Sequence, residues 1–60
     1  MCLATVYKES DNTVIMENTA RIDVDGDFVI VEDIVGEQTK IQGRIKWVDL
    51  AASKVMLVCD

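Results

Sequence analysis

Hydrophobic and polar residues alternate along much of this chain with the period of two that is typical of β-strands. The clearest case is residues 20–25, where alanine, isoleucine and valine alternate with arginine and two aspartates. Successive side chains of a strand point to opposite faces, so this pattern predicts one buried and one exposed face. Asp25 and Gly26 predict a two-residue type I′ hairpin turn, because both tolerate positive φ. Residues 28–31 are then predicted as the returning strand.

The remaining apolar segments follow the same logic. Strands are predicted at residues 3–8, 13–17, 39–48 and 54–58, the third with an interruption near Gly43. No segment has the 3.6-residue period of a helix, and the best candidate for a single helical turn is residues 50–53. Six to seven short antiparallel strands predict an all-β fold, a small SH3-like barrel or roll. One domain spans residues 1–60.

Three segments carry apolar side chains on both faces of the predicted strands, at residues 2–7, 28–31 and 55–58. One face of each segment can fill the barrel. In a fold of one layer without helices, a second copy of the protein is the available cover for the other face. Half of the residues are hydrophobic, although a chain this short buries little of its surface. The pattern therefore predicts a homodimer.

Acidic residues outnumber basic ones by eleven to six, which gives a net charge of −5. This charge repels a phosphate backbone and disfavours nucleic acid as a partner. Lys40, Arg44 and Lys46 form a modest basic strip beside Trp47, which we interpret as a solvated face with the indole turned to the core or the dimer contact. No membrane-spanning stretch or signal peptide is recognisable, so a cytoplasmic protein without a membrane partner is expected.

The absence of histidine removes the commonest general base and the commonest metal ligand. No nucleophile and base form a recognisable unit, so no enzyme activity is predicted. Asp23, Asp25, Gly26 and Glu32 match four positions of a calcium-binding EF-hand loop. However, Arg21 occupies the first ligand position and the flanking segments alternate as strands, so calcium binding is not predicted there.

Cys2 is the candidate metal ligand. It begins a strand with two apolar faces, so in a homodimer its thiol could lie near the symmetry axis. Two thiolates with backbone nitrogens or the terminal amine would form a soft, flat donor set that suits Ni(II) or Cu(II). Spacing alone favours another interpretation, a small buried thiol. For Cys59, an inert thiol, a second ligand and a Cys2–Cys59 disulfide remain open, the last requiring Cα atoms within about 7 Å.

Short motifs stand in a characteristic order along nearly the whole chain. They are MCLA at residues 1–4, VDG at 24–26, GE at 36–37, and GRI at 43–45 followed by VD at 48–49. In order and spacing they resemble the CooT family, small nickel-binding accessory proteins associated with maturation of carbon monoxide dehydrogenase. Cys59 matches no motif of that family.

This resemblance implies a small β-barrel homodimer that binds one Ni(II) ion per dimer through Cys2, the residue after the initiator methionine. It implies a metallochaperone or nickel store without catalysis of its own, with the apo-form of a nickel enzyme as partner. Removal of Met1 would free the Cys2 amine as a further ligand. The alternative is a small-barrel RNA-binding or protein-interaction module without metal, with Trp47 and the double-faced strands as its contact surface.

Overall fold

Five β-strands form a closed barrel in the computed structural model, which describes residues 3–59. The strands are β1 (Ala4–Lys8), β2 (Val14–Asp25), β3 (Phe28–Asp33), β4 (Gln38–Asp49) and β5 (Lys54–Cys59). Consecutive strands pair antiparallel, and β1 closes the ring by pairing parallel to β5. Within this part of the chain, no helix is long and apolar enough to cross a membrane.

The predicted all-β barrel is confirmed, but the strand number is five and not six to seven, and one of the strand pairs is parallel. The segments predicted at residues 13–17 and 20–25 belong to a single strand, β2. This strand continues through a bend at Asn18, whose φ is 56°. Up to Thr19 β2 pairs with β1, and from Thr19 onward it pairs with β3. A bent strand can serve two partners, so fewer strands close the barrel.

Two curved sheets share β2 and β4. The first sheet contains β1, β5 and residues 14–18 and 43–49; the second sheet contains β3 and residues 19–25 and 38–42. β4 passes from the second sheet to the first at Gly43 without a break. The interruption that the sequence suggested near Gly43 is therefore absent. A Cβ at Gly43 would overlap the carbonyl oxygen of Val58. Glycine therefore allows β4 and β5 to approach closely at this joint.

The core lies between the two sheets. Its buried members are Val6 of β1, Val29 and Val31 of β3, and Val55 and Leu57 of β5. Partly buried hydrophobic side chains of β1, β2 and β4 pack against them: Ala4, Ile15, Met16, Ile22, Ile41 and Ile45. Burying a side chain of this size contributes about 1.5–3 kcal/mol, so these residues supply much of the stability of the barrel.

The hairpin between β2 and β3 is confirmed, with its turn one residue later than predicted. Asp25 pairs with Phe28, so Gly26 and Asp27 are the central residues. Gly26 has a φ of 59°, whereas Asp27 is not among the residues with positive φ. This combination is typical of a type II′ turn, in which only the first central residue requires positive φ.

Candidate functional site

Cys2, the predicted metal ligand, lies outside the described residues, as does Met1. The nearest described strand is β1, which begins at Ala4. Cys2 is two positions before Ala4 in the chain. The end of the barrel at which β1 begins is therefore where a site built on Cys2 is expected.

We call this end the N-terminal rim. It consists of Ala4, Thr19, residues 33–35 and residues 48–53. In register, Thr19 lies opposite both Ala4 of β1 and Asp33 of β3. On the other side of β1, the Thr5 N–H donates a hydrogen bond of 2.9 Å to the carbonyl of Ser53. These contacts place the turns after β3 and β4 around the start of β1.

Large aliphatic side chains are exposed on the N-terminal rim. The exposed fractions are 82% for Leu50, 77% for Val35, 59% for Ile34 and 50% for Val48. Scattered exposed aliphatic residues are normal on a protein surface, but a group of them around one end of a barrel is typical of an interaction surface. The rim therefore has the composition of a surface that is covered in an assembly.

The turn between β3 and β4 holds two of these side chains in a defined position. The Asp33 carboxylate accepts hydrogen bonds from the N–H groups of Val35 and Glu37, both at 3.0 Å. The Asp33 carbonyl accepts a third, from the Gly36 N–H, at 3.1 Å. Ile34 and Val35 are thus presented by a preorganised turn, which lowers the entropy cost of burying them against a partner.

A cleft of about 320 Å³ opens beside the rim, between the second half of β2, the last residues of β4 and the first residues of β5. Its aliphatic wall includes Ala4, Ile22, Ile45 and Val55. Thr19 also lines the cleft and is only 4% exposed, and its Oγ1 has no hydrogen-bond partner among the described residues. The cleft can accept an apolar side chain from outside, next to a hydroxyl whose hydrogen-bonding capacity is unused.

Outward side chains of the double-faced segments are less exposed than the sequence suggested. All of them are half-buried within one protomer: Tyr7, Phe28, Ile30, Met56 and Val58. Neighbouring side chains of the same sheet cover them in part, because long polar side chains lie along apolar surface. The largest exposed fractions are found on turns and strand ends instead.

Cys59 lies at the opposite end of β5 from the rim. It pairs with Gly43, whereas Ser53, which precedes β5, contacts β1 near Ala4. Six residues of strand separate Ser53 from Cys59, or about 20 Å. Cys2 lies outside the described residues, so a Cys2–Cys59 disulfide stays an untested alternative. Among residues 3–59, no three Cys, Asp or Glu side chains form a group that could hold a metal ion.

The basic residues of β4 do not form one strip. Lys40 lies on the second sheet, with its Nζ 4.4 Å from the centre of the Phe28 ring. Arg44 and Lys46 lie on the first sheet, beyond the bend at Gly43, and Lys46 forms an ion pair with Glu9. The predicted interpretation as a solvated face fits this separation better than a continuous nucleic-acid surface does.

Trp47 faces outward and is 40% exposed, so the expectation that it turns to the core is wrong. The cause is a β-bulge at Lys46. Ile45 pairs with the buried Leu57, but Trp47 pairs with the outward Met56. Without the extra residue, positions 45 and 47 would share the inward face. Sequence alternation alone does not reveal a bulge of this kind.

Comparison with known proteins adds three findings to this geometry. A crystal structure of a provisionally assigned CooT from Carboxydothermus hydrogenoformans has the same fold, with a TM-score of 0.88 and 18% sequence identity over 98% of both chains. Among curated protein sequences, none matches this chain. A family model described as "CO dehydrogenase accessory protein CooT" matches residues 1–58. The chain therefore belongs to the CooT family of carbon monoxide dehydrogenase accessory proteins.

Proposed function

We propose that this protein carries Ni(II) as cargo in a homodimer, bound through Cys2 of both protomers, for maturation of a nickel enzyme such as carbon monoxide dehydrogenase. Membership of an accessory-protein family supports the role. The observation that carries the dimeric site is the N-terminal rim, where exposed aliphatic side chains surround the end of the barrel to which residues 1–2 are attached.

Pairing two rims about a twofold axis would bury the aliphatic side chains of both protomers. Leu50 and Val35 are the most exposed of them, and burial of each contributes about 1.5–3 kcal/mol. In an isologous interface the same patch meets itself, so both N-termini would approach one axis. This arrangement would supply two thiolates from a chain that has one cysteine near the rim.

The donor set explains why nickel is the preferred cargo. Two thiolates are soft ligands, and backbone nitrogens or the terminal amines would complete a nearly planar set that Ni(II) accepts and Zn(II) disfavours. Thiols lose their protons on binding a metal, so affinity rises with pH and binding releases protons. A site between two protomers, outside either core, would leave the metal within reach of an apo-enzyme.

The ligand is tested by nickel titration in a calorimeter, with absorption spectra of each sample. The parent protein is expected to bind one Ni(II) per dimer and to show sulfur-to-nickel charge-transfer absorption. Cys2→Ser should lose both, whereas Cys59→Ser, about 20 Å along β5 from the rim, should match the parent. Equal affinity of Cys2→Ser and the parent would refute the proposed site.

The interface is tested separately by analytical ultracentrifugation. Leu50→Asp combined with Val35→Asp should convert the dimer into a monomer and weaken nickel binding at least tenfold, because each carboxylate would be buried without a partner. Val24→Asp is the matched control, since Val24 is 65% exposed but lies near the β2–β3 turn, away from the rim. A dimer that survives the double substitution, or dissociates with Val24→Asp, would place the interface elsewhere.

A further inference from the structure

Three outward side chains of the first sheet lie in one transverse row. Tyr7 of β1 is opposite Met56 of β5, and Met56 is opposite Trp47 of β4. Together with Asn12 and Lys54 they line a groove of about 270 Å³. We call it the aromatic groove. It lies on the outer face of the barrel, and Lys54 at its edge also lines the cleft beside the N-terminal rim.

The aromatic walls of this groove have unused hydrogen-bond donors. Trp47 is 40% exposed, and neither its indole N–H nor the Tyr7 hydroxyl takes part in a side-chain hydrogen bond among the described residues. Tyrosine and tryptophan combine a large apolar face with a polar atom, which makes them frequent anchors in recognition surfaces. Met56 between them gives the groove an adaptable floor.

The spacing of the two rings matches one ligand conformation. Tyr7 and Trp47 stand on strands separated by one intervening strand, so their backbones are about 9.6 Å apart. A polyproline II helix repeats every three residues, or about 9.3 Å. Prolines three positions apart could therefore each pack on one ring. The backbone of that helix forms no internal hydrogen bonds, so its carbonyls are free to accept from the indole N–H and the phenol O–H.

The charge at the groove selects among such segments. Lys54 lies beside it, with Nζ 5.9 Å from the centre of the Tyr7 ring. The ion pairs found among the described residues are Arg21 with Asp23 and Lys46 with Glu9, so the Lys54 ammonium is left for another carboxylate. On a protein with a net charge of −5, an unpaired cation at the groove attracts an acidic partner to this place.

We propose that the aromatic groove binds an extended, proline-rich segment of another protein that carries acidic residues beside its prolines. The prolines pack on Tyr7 and Trp47 over Met56, and a carboxylate of the segment pairs with Lys54. These 60 residues contain no proline, so no part of them can serve as this ligand. The groove gives the protein a second binding activity that does not depend on nickel.

The probe is a synthetic twelve-residue peptide with two prolines three positions apart, followed by two glutamates. Trp47 is the one tryptophan of the chain, so its fluorescence reports directly on the groove. The parent should bind saturably with a blue shift of the emission. Lys54→Glu should weaken binding about tenfold, because attraction becomes repulsion. Lys40→Glu makes the same charge change on the second sheet and should alter affinity less than twofold.

Two further peptides test the role of the prolines and the role of the acidic residues separately. Alanine in place of both prolines should abolish binding, and lysine in place of both glutamates should weaken it about tenfold for the parent. The proposal is overturned if the parent shows no saturable binding, if the alanine peptide binds equally, or if Lys40→Glu and Lys54→Glu behave alike. A Trp47→Ala variant that sediments as a monomer where the parent is a dimer also overturns it, because Trp47 would then belong to the interface between copies. Cys2→Ser should bind the peptide as the parent does, which keeps this test distinct from that of nickel binding.

Discussion

Apolar side chains on the outer faces of the two sheets differ in how far neighbouring side chains cover them. On the second sheet, Phe28 and Ile30 are half-buried, and Lys40 lies over the Phe28 ring. On the first sheet, Trp47 and Val14 remain 40% and 45% exposed. Long charged side chains can cover apolar surface while their charge stays in water. This covering is more complete on the second sheet, so the outer face of the second sheet is suited to remain in contact with solvent.

Charge follows the same division. Residues 19–42, which contain the second sheet and its turns, carry six carboxylates and two basic residues. The rest of the chain carries five carboxylates and four basic residues. Most of the net charge therefore lies on the second sheet, which keeps that face soluble and repels like-charged molecules. The nearly neutral first sheet is the one that can approach an acidic partner.

The largest expected effect concerns the joint between the two sheets. Gly43→Ala should lower the free energy of unfolding by at least about 3 kcal/mol, because the added methyl group overlaps the backbone of β5 and not a movable side chain. Urea denaturation at fixed protein concentration measures it. Gly36→Ala is the control: its φ is 86° and no atom lies near the added carbon, so only about 1–2 kcal/mol of backbone strain is expected. Equal losses would show that Gly43 does not join the sheets by close approach.

A smaller effect on stability is expected when the two lysines that lie over aromatic rings are compared. Lys40→Ala should destabilise the protein by about 0.5–1 kcal/mol, because it removes a cation from the Phe28 ring at 4.4 Å. Lys54→Ala should cost less, because its Nζ is 5.9 Å from the Tyr7 ring. Thermal and urea unfolding of the two variants give the comparison. A larger loss for Lys54→Ala would reverse the assignment of the covered and the open face.

The smallest effect is a pH dependence at the turn between β1 and β2, beside the aromatic groove. Hydrogen bonds from the Thr13 side chain and from its N–H, the latter at 3.1 Å, lower the pKa of Asp11 below its ordinary value of 3.8. The carboxylate thus stabilises the folded state above that pH, and the contribution is lost as the pH falls through the lowered pKa. The difference in unfolding free energy between the parent and Asp11→Asn should therefore be constant above about pH 4 and shrink as the pH falls below it. Parallel curves over the whole range would contradict this expectation.

Much of the fold could be predicted because alternation is a local property. The inward position of Ile22 follows from period two, and the β2–β3 hairpin follows from its glycine. The inward faces of β3 and β5 do not follow in this way, because residues 28–31 and 55–58 are apolar on both faces. The strand number could not be predicted in the same way. Asn18 and Gly43 look like strand ends in sequence, but each lies within a strand that bends to change partners.

The candidate site was predictable to a different extent. Absent histidine and the family motifs direct attention to Cys2, and the role of that residue stays a prediction. The rim around the start of β1 could not be foreseen, because its members come from residues far apart in the chain. Of the two positions predicted for Trp47, the core is wrong, since a bulge at Lys46 reverses every later side chain of β4, and the dimer contact stays a prediction.

By itself, the sequence determined the all-β class, the inward face of residues 20–25, the acidic charge and the family, because each depends on residue type and local order. Only the tertiary structure decided which apolar side chains remain exposed, that Cys59 lies far from the start of β1, and that Tyr7, Met56 and Trp47 share one row. The physical reason is register: pairing between strands, set by bends, bulges and closure of the barrel, determines which distant residues become neighbours.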